Sequence, residues 1–199
     1  MTLSTLSGLR AAALGLMLVA APLSIARAQE TVVEALGVPG PIEFMGDAYA
    51  LSWTSHPAPD YFKQEYLPEG QQSGSYTAMF MIDAVTSEAT PQAAANGQIA
   101  GLEQRKATDP MVNYSQITNA ETGEVVLDFL LSDSSGDTHI LEWNAYRYAK
   151  LGDGVALYAI SRRAYGDDGD AFLAELGKIR QDNVAALTAL DLPPITPAE

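Results

Sequence analysis

The residues best placed to do chemistry in this sequence lie between Glu124 and Arg163. Over Thr138 to Ala149, one set of alternate positions is His139, Leu141, Trp143, Ala145 and Arg147; the other is Ile140, Glu142, Asn144, Tyr146 and Tyr148. In a strand these sets point to opposite faces. The Leu141, Trp143 and Ala145 set is core-like, and the Glu142, Asn144 and Tyr146 set reads as half-solvated. Leu151-Gly152-Asp153-Gly154 is a hairpin signal, with Asp-Gly the favoured pair for a type I′ turn. With Asp153 and Gly154 central, Asn144 lies opposite Arg163; with the turn one residue earlier, Glu142 does. In either register Glu142, Asn144 and Tyr146 share a face with Ser161 and Arg163, because opposed residues point the same way.

An acid, an amide, a phenol and a guanidinium on one face can recognise a small polar ligand or a partner protein. The same residues also make an ordinary cross-strand charge pair, worth about 0.2–1 kcal/mol. Arg147 belongs to the opposite set and joins only at the strand's exposed end. On the recognition reading, alanine at Asn144 or Arg163 leaves the melting temperature almost unchanged.

Other chemistry finds little footing. His56 and His139 are the two histidines, and neither has a second histidine or a carboxylate at helical spacing to form an HExxH-type ligand pair. There is no G-x-S-x-G elbow, S-x-x-K, phosphate loop or dinucleotide fingerprint. The acids at 133–137 and 167–170 lack the glycine and closing glutamate of an EF-hand, so turn and cap duty accounts for them. No cofactor or metal is implied. A hydrolase acting through a carboxylate pair is the alternative, because sequence cannot bring Asp128 or Glu142 to another acid.

The chain has 199 residues, no cysteine and a formal charge of −14. Without cysteine there is no disulfide framework, thiol catalysis or thiolate metal site. Residues 1–28 read as a signal peptide: Arg10, an apolar stretch from Ala11 to Leu23, and Ala26-Arg27-Ala28 as an A-x-A cleavage site. Cleavage after Ala28 leaves 171 residues with a charge of −16, exported to the periplasm or beyond. That charge disfavours nucleic acid and anionic lipid surfaces. No later segment reads as a membrane span.

The expected organisation is a flexible leader over 29–41, one α+β domain over 42–193 and a disordered tail over 194–199. Gly46-Asp47 turns a hairpin over Ile42 to Thr54, and His56-Pro57-Ala58-Pro59-Asp60 breaks regular structure. Tyr61 to Leu67 is an aromatic-rich strand or turn, and Tyr76 to Val85 a strand covered on both faces. Thr90-Pro91 caps a helix running to about Lys106, on the stripe Ala95, Ile99 and Leu102. Its Gly97 and Gly101 would permit close packing on a sheet. Strands follow at Met111 to Thr118 and Val125 to Leu131, then the hairpin. A C-terminal helix carries Phe172, Leu176, Ile179, Leu187 and Leu190 on one stripe. Asn183 falls on it and needs a buried partner.

The segments YLPEGQ (Tyr66 to Gln71), WNAYRY (Trp143 to Tyr148) and ISRRAYG (Ile160 to Gly166) resemble those of small exported bacterial proteins of uncharacterised function. The element order resembles the PsbP/Mog1/DcrB-like fold. That resemblance implies an α/β/α sandwich, an antiparallel sheet with helices on both sides, in a binding or accessory protein rather than an enzyme. The functional expectation is a non-enzymatic exported domain that binds a partner protein or small polar ligand through Glu142, Asn144, Tyr146, Arg147 and Arg163, with the YLPEGQ loop.

Overall fold

The computed structural model describes residues 32–198. Eight strands form one antiparallel sheet: β1 (Ile42–Phe44), β2 (Asp47–Ala58), β3 (Tyr61–Pro68), β4 (Ala78–Val85), β5 (Asn113–Thr118), β6 (Val125–Asp133), β7 (Ile140–Leu151) and β8 (Gly154–Tyr165). Helix α1 (Pro91–Arg105) joins β4 to β5, and α2 (Gly169–Ala189) follows a single 3-10 turn after β8. In space the order is β1-β2-β3-β4-β8-β7-β6-β5. The chain thus runs one meander, crosses to the far edge through α1, and runs a second meander back until β8 pairs with β4.

The two helices serve opposite faces. Leu176 and Leu187 of α2 pack with Phe80, Ile82, Trp143, Ala145 and Ile160, while Ala95 and Leu102 of α1 pack with Val125, Leu127, Phe129 and Tyr148. The sheet curls toward α2. Phe44 and Phe80 stand three strand spacings apart, about 14 Å in a flat sheet, yet their ring centroids are 5.8 Å apart. The fold is therefore a sheet-rich α+β domain.

The central hairpin takes the earlier of its two possible registers: Leu151 pairs with Gly154, Glu142 with Arg163 and Asn144 with Ser161. Gly152 and Asp153 are the turn's central residues, and Gly152 alone of the two has a positive φ, at 57°. A glycine leading the pair suits a II′-type turn rather than the expected I′. Gly154 answers to a different demand, since a Cβ there would lie 1.9 Å from the Val85 carbonyl oxygen.

Side-chain parity on β7 follows the expected sorting, and Glu142 and Tyr146 are half-buried as expected, but Asn144 is not. Trp143 is 1% exposed on the α2 face, and Asn144 is equally enclosed, at 1%, on the other. Helix α1 and the segment leading to Tyr76 cover much of that second face.

Other expectations give way to packing. Strand β2 runs through His56 and Pro57, because the pairing with β3 is irregular between Ser55 and Ala58 and Pro57 sits in that gap. A Cβ at Gly97 or Gly101 would meet no atom within 4 Å, so both glycines face open space, not the sheet. The leader and tail pair with each other: Thr196 N–H donates to Leu36 O at 2.7 Å and Ala198 N–H to Ala35 O at 2.8 Å. Glu34 accepts from the backbone N–H of Leu36 and Val38, and Ala35 N–H donates to Gln64, so these residues complete the curl.

The helix signals are met in detail. Thr90 accepts from Ala93 N–H at 3.2 Å as the α1 cap, ahead of Pro91. Asn183, 1% exposed on the α2 stripe, accepts from Arg162 Nε at 3.1 Å and donates to Ile179 O at 2.8 Å.

Candidate functional site

The α1 face is where polar groups gather without filling the space between them. Helix α1 lies over β6, β7 and the near end of β8. Beside it, a pocket of about 310 Å³ opens between Ala94 and Gln98 of α1 and the strands β3, β4, β7 and β8. Register dictates the lining: Lys63 opposes Asp83, Tyr61 opposes Val85, Asp83 opposes Leu157, and Leu157 opposes Tyr148. All therefore share this face.

Asp83 organises one wall. Its Oδ2 accepts from the Tyr61 hydroxyl at 2.7 Å and its Oδ1 from Lys63 Nζ at 3.3 Å. Lys63 also reaches Met81 Sδ at 3.7 Å. Burial pushes the Asp83 carboxyl above its ordinary value, and Lys63 and Tyr61 oppose that rise without cancelling it. The phenols of Tyr61, Tyr146 and Tyr148 are all raised, chiefly by burial, and stay neutral. The Tyr146 and Tyr148 side chains and the Gln98 amide line the pocket and leave their polar groups open to solvent there, whereas the enclosed side-chain atoms without a partner among the described residues are Tyr49 Oη, Asn144 Oδ1 and Arg147 Nε. Several donors and acceptors thus converge on one small concavity with apolar walls at Val85, Val155 and Leu157.

The residues singled out from sequence divide three ways. Tyr146 lines the pocket. Glu142, Asn144 and Arg163 stand together further along the same face as a bonded network in which the enclosed Asn144 Oδ1 is left without a partner among the described residues. Arg163 Nε donates to Glu142 Oε2, and Asn144 Nδ2 donates to Glu142 Oε1 at 2.9 Å. The Arg163 guanidinium lies 4.2 Å from the Tyr76 ring centroid, and Tyr76 bonds Ser161 across 3.2 Å. Tyr165 donates to Tyr76 O at 2.8 Å, so the network clamps the segment entering β4. Gln71, at the end of YLPEGQ, accepts from Thr77 and Ala78 N–H and closes its own loop.

Arg147 stands apart. It lies on the α2 face, where Nη1 donates to Leu187 O and Leu190 O, and Nη2 to both oxygens of Glu124 at 3.1 Å. A guanidinium there meets the carbonyl end of α2 and its dipole. Strict alternation put it there, and it takes no part in the pocket.

Tyr61, Lys63, Asp83, Gln98 and Tyr148 were not singled out from sequence. One signal was available: Asp83 is the only acid in the apolar run YTAMFMIDAV and falls on its Met79 and Met81 side. What sequence lacks is the β3–β4 register, since the segment joining those strands is too long to set it.

Two outcomes follow. Asn144→Ala should destabilise the protein by about 1–3 kcal/mol in urea unfolding, because it strips a donor from the enclosed Glu142 carboxylate. A neutral result would place Asn144 outside the network, as the recognition reading expected. For Asp83, the folded pKa lies above the unfolded value of 3.8. The native state then holds this proton more tightly, so the group's contribution is full below the unfolded pKa and is lost as pH rises through the folded pKa. The stability of Asp83→Asn relative to the unmodified protein should therefore improve as pH is raised across that interval. The opposite slope would show that attraction to Lys63 outweighs burial.

No curated protein matches the chain. Residues 36–192, which span β1 to the end of α2, match an uncharacterised protein family, and the chain belongs to that family.

Proposed function

We propose that this protein is an exported, non-enzymatic binding domain that holds a small polar ligand in the pocket between α1 and strands β3 and β4. The observation that carries the reading is the convergence of solvent-facing polar groups, the Tyr146 and Tyr148 hydroxyls and the Gln98 amide, on one concavity beside the Lys63–Asp83 pair. Groups left open on a concave wall of about 310 Å³ fit the lower end of small-ligand pockets.

Binding is better supported than carboxylate-pair hydrolysis. Both oxygens of Asp83 are engaged, by Tyr61 and Lys63, and both of Glu142, by Arg163 and Asn144. The donors on these two acids are a lysine, a phenol, a guanidinium and an amide, so each acid is paired with a donor group rather than with a second carboxyl, the arrangement that carboxylate-pair hydrolysis needs. Glu142, Asn144 and Arg163 then serve by bracing the strands beside the pocket, and Tyr146 by contact with the ligand.

Export rests on Arg10, the apolar stretch from Ala11 and the Ala26-Arg27-Ala28 site, all outside the described residues. The finer fold reading, a sandwich of the PsbP/Mog1/DcrB kind, draws support from the two helices on opposite faces and from the element order.

The test is ligand-observed NMR on the mature chain against neutral and charged sugars, polyols and amino acids. A binder should weaken at least about 10-fold in Tyr148→Phe and Gln98→Ala, the loss of one or two hydrogen bonds. A binder that ignores both substitutions, or the absence of any, would contradict the reading.

A further inference from the structure

A second concavity, on the opposite face, has a different character. Helix α2 packs over β7 and β8 and only lightly on β6, so the last strand, β5, is left uncovered on that side. The result is a groove of about 630 Å³ between α2 and the sheet edge, walled by Ile117, Val184, Ala185 and Ala189. Ile117 is 59% exposed, one of few large apolar side chains in that condition among the described residues. Register accounts for it: Ser115 opposes Asp128 and Ile117 opposes Val126, so β5 turns these residues toward α2.

At one end of the groove stands Arg180. Its Nε donates to Oδ1 of Asp128, a buried acid that also accepts from the Trp143 indole N–H at 3.3 Å. The Arg180 side chain is 45% exposed, and its two Nη groups have no partner among the described residues. One edge of a planar donor fork is thus fixed from below and the other is presented outward, in the geometry that takes a carboxylate with two parallel bonds.

We propose that this groove binds a single-chain alkyl carboxylate, the hydrocarbon lying along Ile117, Val184, Ala185 and Ala189 and the carboxylate meeting the outer edge of Arg180. Ser115, Gln181, Thr188 and Asp128 also border the groove, but a fully polar ligand would leave the wall of Ile117, Val184, Ala185 and Ala189 unused. A cationic head is repelled by Arg180, and a neutral head leaves its outer edge unused. The strongly acidic chain opposes approach of any anion at long range, so head recognition depends on direct contact with the guanidinium. This inference is independent of the polar pocket on the other face.

The test is calorimetric titration of the mature protein with dodecanoate, dodecanol and dodecyltrimethylammonium, each below its micelle concentration, with tryptophan emission followed in parallel. Dodecanoate should bind at one site, about 10-fold tighter than the other two, the worth of one charge-assisted contact. It should perturb emission from Trp143, which shares Asp128 with Arg180. Arg180→Gln should bring dodecanoate to the level of dodecanol, and Arg180→Lys, which keeps the charge but not the fork, should fall between. Ala185→Trp, an exposed helix position that fills the groove, should abolish binding of all three while leaving circular dichroism unchanged. Absence of saturable dodecanoate binding, equal affinity for the three heads, or binding that survives Ala185→Trp would each overturn the proposal.

Discussion

Everything in this molecule depends on the register of the β7–β8 hairpin. Twelve cross-strand pairs, from Leu151 with Gly154 to Ile140 with Tyr165, join the two strands at the centre of the sheet. A slip of one residue would send every side chain of one strand to the wrong face. Two features hold it. Gly152 supplies the positive φ of the turn, and the closeness of Val85 to Gly154 leaves no room for a side chain at the first residue of β8. With that pairing set, Trp143, Ala145 and Arg147 go to α2, and Glu142, Asn144, Tyr146 and Tyr148 go to α1.

Acidic residues serve as struts in this fold. Asp109, just past α1, accepts from the Ser132 N–H and hydroxyl at 2.7 Å each, from Arg105 Nε at 3.0 Å and from Met111 N–H at 3.0 Å. Burial raises its carboxyl, but those donors outweigh burial and hold it below the ordinary value. It ties the end of α1 to β6, as Asp128 ties α2 to β6 through Arg180. Asp83 differs from Asp109: its donors do not fully offset burial, and it borders the α1-side pocket. Incomplete compensation beside open polar groups is the pattern of a site rather than of a strut.

Legibility from sequence tracked how local each cause was. The α1 cap at Thr90 and Pro91, the α2 stripe and its buried Asn183, and the parity of β7 each follow from residues near one another, and each was readable. The turn was readable only as two alternatives, because Gly154 is demanded by a contact with β4 rather than by the turn. The passage of β2 through Pro57 depends on a pairing irregularity with β3. The mutual tie of the leader and tail depends on the two ends meeting. The pocket was hidden for the same reason: Lys63, Asp83, Gln98 and Tyr148 come from four elements, and only the assembled sheet brings them together. The Glu142–Arg163 pair was foreseen as neighbours, but its enclosure depends on the Tyr76 segment lying over it.

The most direct test of this account is the pairing of the central hairpin in solution. Directly opposed residues of antiparallel strands have Cα atoms about 4.5–5.5 Å apart, within the usual reach of a disulfide. The chain has no cysteine of its own, so an engineered pair reports without competition. On mild oxidation, Glu142→Cys with Arg163→Cys should close an intramolecular disulfide, read by intact mass and gel mobility. Glu142→Cys with Arg162→Cys, whose side chains point to opposite faces, should remain reduced. Closure of the second pair in preference to the first would contradict the register and, with it, both proposed sites.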